Sequence, residues 1–261
     1  MQGPGFWEGP SYWKDPAFEG TSPQGAADAG WHHDGAEPHP ALDDHCEQKD
    51  RSDVPVGVSK GRFASPPPMG EGILELPKGK IAAIATYLEM HEPPSQPPAP
   101  SRSGAFEAIG RNPSRYRALY RDVGERWLWF SRARLNDADL DPILRSPAVE
   151  ALAYRIEGRD VGMVELDFRR GAECELSFLG LVPDAIGGGH GRVLMAEAIA
   201  RAFARPIGRL WLHTCTLDHP NALGFYIRSG FRPFRRAIEV ANDPRLTGHL
   251  PSDAAPDLPI L

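Results

Sequence analysis

Leu181-Val-Pro-Asp-Ala-Ile-Gly-Gly-Gly-His-Gly-Arg-Val-Leu-Met195 is the stretch on which the reading of the fold turns. An apolar strand pattern ends at Val182, and Gly187, Gly188, Gly189 and Gly191 follow. A helical pattern then begins, with Val193, Leu194, Ala196, Ile199, Ala200 and Phe203 on its inward face. Glycine lets the backbone approach a ligand and turn its N–H groups toward an anion. The helix N-terminus adds partial positive charge at the same place. In outline this is a pyrophosphate cradle. The same residues would also serve a plain flexible strand-to-helix connection, and the loop alone leaves both readings open. Two familiar phosphate loops are excluded. No Gly-Lys-Ser/Thr is present, and position 194 is Leu, not the third glycine of a dinucleotide fingerprint.

Working outward, the spacing predicts a strand over Glu173–Val182 before the loop and a helix over Gly189–Ala204 after it. Downstream come a strand at Leu210–Thr216, a helix at Pro220–Ser229 closed by Gly230, and a strand at Phe231–Val240. Upstream, Val149–Ile156 and Val161–Phe168 read as strands joined by the turn Glu157-Gly158-Arg159-Asp160. Asn112-Pro113-Ser114 opens a helix to Arg126, Asn136 caps a second through about Leu144, and Phe106–Ile109 is a short strand. The order β-α-α-β-β-β-α-β-α-β is a mixed α/β (α+β) domain over residues 104–261.

The rest of the chain differs in composition. Of its 27 prolines, 16 lie in the first 100 residues. Residues 1–70 carry no periodic apolar face and read as a disordered Gly/Pro/His-rich tail. Met69 offers itself as an alternative start. Residues 71–103 read as an extra N-terminal segment: Lys80–Met90 is an apolar run best taken as a strand, and Pro93–Ser103 is a Pro/Ser-rich linker. His32, His33, His39, His45, Cys46, Asp43 and Asp44 have the right atoms for zinc, but no paired-ligand spacing, so no metal site is expected. A formal net charge of -6 argues against a nucleic-acid coat. No apolar run approaches the ~20 residues of a membrane span, and the N-terminus lacks a secretory pattern. Three scattered cysteines suit a reduced compartment. The expectation is a cytoplasmic protein with neither membrane nor nucleic-acid partner.

A second motif, His213-Thr-Cys-Thr-Leu-Asp-His-Pro-Asn-Ala-Leu-Gly-Phe-Tyr-Ile-Arg-Ser-Gly-Phe231, runs from a strand through a helix to the next strand. Taken together, the two motifs resemble the GNAT superfamily of acyl-CoA-dependent N-acetyltransferases. The phosphate loop of that family reads Val/Leu-x-Pro-x-x-Arg/Gln-Gly-x-Gly-x-Gly/Ala, and Leu181, Pro183, Gly187, Gly189 and Gly191 match it in register. Its later signature is Asn-x-x-Ala-x-x-Phe/Leu-Tyr-x-x-x-Gly-Phe, matched by Ala222, Phe225, Tyr226, Gly230 and Phe231. The resemblance covers about residues 104–245. It is also similar to an uncharacterised bacterial branch that shares Trp127–Ser131, His213–Pro220 and Asp243–Gly248. Two departures stand out: Ile186 replaces the loop Arg/Gln, and His219 replaces the Asn seven residues before the Tyr.

The resemblance implies a GNAT-type acyl-CoA N-acyltransferase fold, a mixed central sheet with splayed strands flanked by helices. It implies acetyl-CoA as co-substrate and direct attack by a primary amine, small-molecule or peptide, in a ternary complex. Main-chain groups of Leu179, Gly180 and Leu181 are then expected to hold the pantetheine arm and polarise the thioester carbonyl. Ile186, Gly187, Gly188, Gly189, His190, Gly191 and Arg192 are expected to surround the phosphates, with His219 and Asn221 at the start of the later helix. Tyr226 is the expected general acid for the leaving thiolate. Glu175 is the expected base, chosen because strict alternation would align it with Ser177, Leu179 and Leu181; Glu173 is the reserve. Trp127, Trp129 and Phe130 either stack on the acceptor or pack as core. His213 and Cys215 face the same way on one strand, with no built-in hydrogen bond for a nucleophilic pair. Two other readings remain open: an acyl-CoA-binding module without turnover, and an interaction protein acting through its tail. Neither the amine, the acyl-chain preference nor the oligomeric state can be read from the residues.

Overall fold

The computed structural model describes residues 71–95 and 104–261. The expected tail, its histidine cluster and most of the expected linker lie outside the described residues. Glu75–Leu261 form one unit, and the other, Met1–Leu74, is described only at its last four residues.

Seven strands form a single sheet in the order β2-β3-β4-β5-β6-β1-β7. These are β1 Lys80–Met90, β2 Ala105–Ala108, β3 Val149–Ile156, β4 Arg159–Asp167, β5 Glu173–Leu181, β6 Arg209–Cys215 and β7 Arg232–Asn242. The helices are α1 Pro113–Gly124, α2 Asp137–Arg145, α3 His190–Phe203 and α4 Ala222–Arg228. Local chemistry explains most boundaries. Asn112 accepts the Arg115 amide and starts α1; Asn136 accepts the Asp139 amide and starts α2. Glu157 and Gly158 both take positive φ, 50° and 81°, which closes the β3–β4 hairpin with a two-residue turn.

The folded unit extends N-terminal of residue 104, where the sequence pattern placed its start. β1 pairs with β6 on one side and β7 on the other, both antiparallel. Its buried residues include Tyr87, Leu88 and Met90, so it is an interior strand of the sheet. Such pairing joins Lys80 to Asn242, and no local signal could announce it.

Every neighbouring pair is antiparallel except β5–β6. That parallel pair meets only at Glu173–Arg209, Cys174–Leu210 and Glu175–Trp211. Beyond Glu175, β5 continues to Leu181 without β6 beside it. The splayed strands of the expected fold are therefore present. α1 covers one face of the sheet, where Tyr116 meets Glu165 of β4. α3 covers the other, where His190 meets Tyr154 and Leu194 lies against Gly162. Among the described residues no helix is long and apolar enough to cross a membrane.

Candidate functional site

The opening between β5 and β6 brings together some of the expected residues and not others. In a sheet, buried main-chain groups find partners in the next strand. The β6-facing groups of β5 past Glu175 have no strand beside them. Leu179, Gly180 and Leu181 are only partly buried there. The chain then passes through a single 3-10 turn, Pro183–Ala185, into the glycine loop. Gly187 and Gly189 take left-handed φ of 87° and 83°, which few other residues adopt. Nothing lies within 4 Å of a Cβ built on Gly187, so this part of the loop faces open space. Gly189 is the residue before α3, whose first-turn amides have no partner within the helix. The loop thus combines open space, glycine conformations and a 14-residue helix N-terminus. These features fit a pyrophosphate.

The side chains around it divide. Ile186 is 42% exposed and offers no polar contact. Arg192 is exposed on the first turn of α3. The His190 ring lies between the Tyr154 hydroxyl, 3.3 Å from its Nδ1, and Gly188, where a built Cβ would come within 3.0 Å of its Nε2. His219 replaces the family's Asn with a hydrogen bond of its own: its Nδ1 accepts the Asn221 amide at 3.1 Å. That bond shapes the entry to α4, which starts at Ala222, two residues later than Pro220 suggested.

Tyr226 lies on α4, against Phe225 and Phe231 with ring centroids 5.6 and 6.2 Å away. It packs on the main core cluster, and α4 lies on the α3 side of the sheet, where Phe225 approaches Gly191 of α3 and Gly230 approaches Met90 of β1. Burial, and then the nearby Asp218 carboxylate, push its phenol well above the usual tyrosine range.

Glu175 stands at the last β5–β6 pair, 3% exposed. Its expected alignment is corrected by the structure. β4 pairs Leu166 with Leu176 but Glu165 with Phe178, so Ser177 is an extra residue, a β-bulge. The bulge resets the alternation. Glu175 shares the α1 face with Phe178 and Gly180, whereas Leu179 and Leu181 face α3. Glu175 and Tyr226 therefore flank the opening from opposite faces of the sheet. Glu173, the reserve, is removed from the opening altogether: it pairs with Arg209 at the closed end and bonds its guanidinium at 3.0 Å.

The aromatic segment after α1 also divides. Trp129 reaches the opening. A Cβ on Gly180 would overlap Val123 and come within 3.1 Å of Trp129, so glycine is what lets α1 and Trp129 close over β5. Trp129 also contacts Phe178 at 5.2 Å and donates its Nε1–H to Asp218 at 3.2 Å. Trp127 turns toward His219, with rings 5.3 Å apart. Phe130 packs instead in a second cluster with Ile81, Leu250 and Ala254. Between the two tryptophans, Leu128 takes a left-handed φ of 52°, a strained conformation for a branched residue.

Two features escaped the sequence reading. Asp218 accepts from Trp129, from the Thr214 hydroxyl at 2.8 Å and from the Cys215 amide at 2.9 Å. It ties the α1 segment on one side of the opening to the end of β6 on the other. An Asp in a strand-to-helix turn was its only signal. The second is a buried ion pair. Arg132 and Glu165, 2% and 0% exposed, meet at 2.9 Å, and Tyr116 donates to the same carboxylate. The Arg132 guanidinium also lies 5.4 Å from the Phe178 ring, beside the bulge. In sequence both residues look like surface charges. Cys215 shares the α1 face with His213 as expected, and burial pushes its thiol up to about 12, far from a nucleophilic thiolate. Among the described residues no group of His, Cys, Asp and Glu could hold a metal ion.

Comparison with known proteins gives one family match over part of the chain. Residues 116–231 match the model of the acetyltransferase (GNAT) family. No curated protein matches the chain. Among solved structures, one similar fold is an acetyltransferase assigned to the GNAT family from Novosphingobium aromaticivorans, at 21% identity over 64% of this chain and 68% of that one, TM-score 0.42. Another is a GCN5-related N-acetyltransferase from Sphaerobacter thermophilus, at 14% identity, 61% and 51% coverage, TM-score 0.46. A third is an aminoglycoside acetyltransferase from an uncultured soil metagenomic sample, at 19% identity, 51% and 95% coverage, TM-score 0.43. The match thus spans about half the length of the Sphaerobacter chain.

Proposed function

Because residues 116–231 match the model of the acetyltransferase (GNAT) family, we propose that the protein is an acetyl-CoA-dependent N-acetyltransferase acting on a primary amine. One observation carries this reading. β5 parts from β6 at Glu175, runs on to Leu181 paired with β4 alone and leads directly into the glycine loop before α3. That continuity supplies main-chain partners for an amide-bearing arm and, at its end, amides for phosphates.

Acetyl-CoA, when bound, would supply an acetyl group activated as a thioester. The residues of this chain do the rest. Gly187 to Gly191 offer backbone amides to the phosphates, without the side-chain contact that Ile186 forgoes. Main-chain groups of Leu179–Leu181 orient the arm, and an N–H among them polarises the acetyl carbonyl. Glu175, from the α1 face, takes the ammonium proton, directly or through water. Tyr226, from the α3 face, gives a proton to the departing thiolate. Burial keeps the Tyr226 phenol protonated at neutral pH, and a thiolate held in the same dry surroundings is made more basic by the same desolvation. Trp129, held by Asp218, closes the opening against water.

Two measurements test the reading. Calorimetry with acetyl-CoA should give binding well below millimolar; no binding would leave the tail as the working part of the protein. Release of free thiol across a panel of amines should then identify an acceptor. Binding with no release from any amine would reduce the domain to an acyl-CoA-binding module, the reading that Ile186 favours.

A further inference from the structure

α1 runs on through a 3-10 turn, Glu125–Trp127, that closes in a defined way. The Trp129 amide donates to the Gly124 carbonyl at 3.0 Å and the Leu128 amide to that of Glu125 at 3.2 Å, with Leu128 left-handed at φ 52° and ψ 40°. That pair of bonds is a Schellman motif, and its left-handed position ordinarily holds glycine, which has no Cβ to strain. Leucine costs free energy there that glycine would not. Burial offsets that cost: the Leu128 side chain is 3% exposed, in the cluster with Ile81, Leu250, Ala254 and Ala255. The other side of this cluster is constrained as well. Ala255 is also left-handed, at φ 46°. The buried Arg245 guanidinium donates to the carbonyls of Ala254, Ala255 and Leu258 while it pairs with Asp243. Among the described residues three other than glycine take positive φ, and two of them meet in this one cluster.

What Leu128 fixes is its neighbour. The Trp129 side chain lies back over Gly124, where a built Cβ would overlap it at 2.5 Å, and reaches Gly180 of β5. Leu217, the residue before Asp218, packs on the same cluster as Leu128. Both partners of the Trp129–Asp218 hydrogen bond are therefore held, one residue away, by β1 and the C-terminal segment. We propose that Leu128 is a positioning residue: it anchors the turn to the C-terminal segment, so that the Trp129 indole stays seated over β5 and shields the acetyl thioester from water. The proposal rests on the acyl-transfer reading and deepens it. Ile81, Leu250, Ala254 and Ala255 all lie outside residues 116–231, so the dryness of the opening is set by parts of the chain that the family match does not include.

The test is Leu128→Gly in the full chain, because glycine keeps the left-handed turn and deletes only the anchor. One readout is hydrogen exchange of the Trp129 indole N–H without ligand, with the indole of Trp211, 3% exposed in the sheet, reporting global opening. The other is hydrolysis of acetyl-CoA with no amine present. In that reaction the water oxygen bonds to the acetyl carbon and the C–S bond breaks; the two water protons go to the CoA thiolate and to solvent, leaving acetate. Exchange should rise at least about tenfold more at Trp129 than at Trp211. Hydrolysis should rise several-fold, a gain that a folding defect cannot produce. Leu250→Ala should do the same from the other side of the cluster, and Leu128→Met, which keeps the side-chain bulk, should restore slow exchange. Parental exchange at Trp129 in Leu128→Gly, or an equal rise at Trp211, overturns the anchor. Faster exchange with parental hydrolysis of bound acetyl-CoA overturns the shielding. Failure of acetyl-CoA to bind overturns acyl transfer instead, while exchange on the free chain still decides the anchor.

Discussion

β5 and β6 are two different structures along one length. At the closed end Arg209 bonds Glu173 at 3.0 Å and Glu89 at 3.2 Å, tying β5, β6 and β1 together. Both carboxylates there have the Arg209 guanidinium as a partner. At the open end the sheet leaves the β6-facing main-chain groups of β5 without a strand, and side chains take over the contacts: Trp129 and Asp218 from loops and, through the bulge, Phe178 of β5 itself. A strand pair whose groups are fully matched has nothing to offer a ligand. One that stops matching halfway presents donors and acceptors in a fixed array. The bulge at Ser177 makes this contrast possible, since it turns Phe178 and Gly180 to the face where α1 can cover them.

The comparison can be broken or sharpened by substitution. The largest effect should come from Tyr226→Phe at the open end. Removing the hydroxyl should lower kcat by roughly 100- to 10,000-fold, with acetyl-CoA affinity within a few fold of the parent. A parental kcat would make Tyr226 a packing residue. Next comes Arg132→Met, which strands the Glu165 carboxylate, 0% exposed, without its guanidinium. Breaking a buried pair should cost about 3–5 kcal/mol in denaturant unfolding, and adding Glu165→Met should restore most of it. If the single variant is as stable as the parent, the wall of the opening does not rest on this pair. Gly189→Asp brings a carboxylate to the loop. Acetyl-CoA affinity should fall about 100-fold, as like charges juxtaposed cost several kcal/mol, while stability falls by only about 1–2 kcal/mol for an aspartate at a left-handed φ; equal affinity removes the loop from the cofactor site. Least affected should be Glu173→Gln. Its partly exposed pair with Arg209 is worth at most about 1 kcal/mol, and kcat should be unchanged. A large loss of kcat there would erase the distinction between the two ends.

Helices, strands and the glycine loop were legible because their determinants are local. Asn112 and Asn136 cap, Glu157-Gly158 turns, and apolar residues recur at the period of each element. Tyr226 and the glycines were legible through two motifs in the right order. What was illegible depends on partners distant in sequence. Nothing in Glu173–Leu181 marks Ser177 as the bulge, because a bulge is a relation to β4. Without it, the face of Glu175 was assigned by counting and came out wrong, though the residue still stands at the opening. Glu173 looked equivalent to Glu175 because two residues of spacing cannot tell which end of a strand has lost its neighbour. Leu128 carried no signal at all, since only the placement of β1 brings Ile81 into the cluster that buries it.

That placement has a consequence for how the chain reaches its native state. β1 hydrogen-bonds across separations of 132 residues to Thr216, just past β6, and 162 to β7. During synthesis it emerges first and waits until nearly the whole chain has been made. Non-local pairing of this kind is slow, because the loop must close before any contact rewards it. For that interval β6 has a bare edge and β1 an unshielded apolar stripe, both prone to pairing with the wrong chain. Refolding should therefore end in a slow docking of β1, and newly made protein should aggregate more readily than the finished molecule.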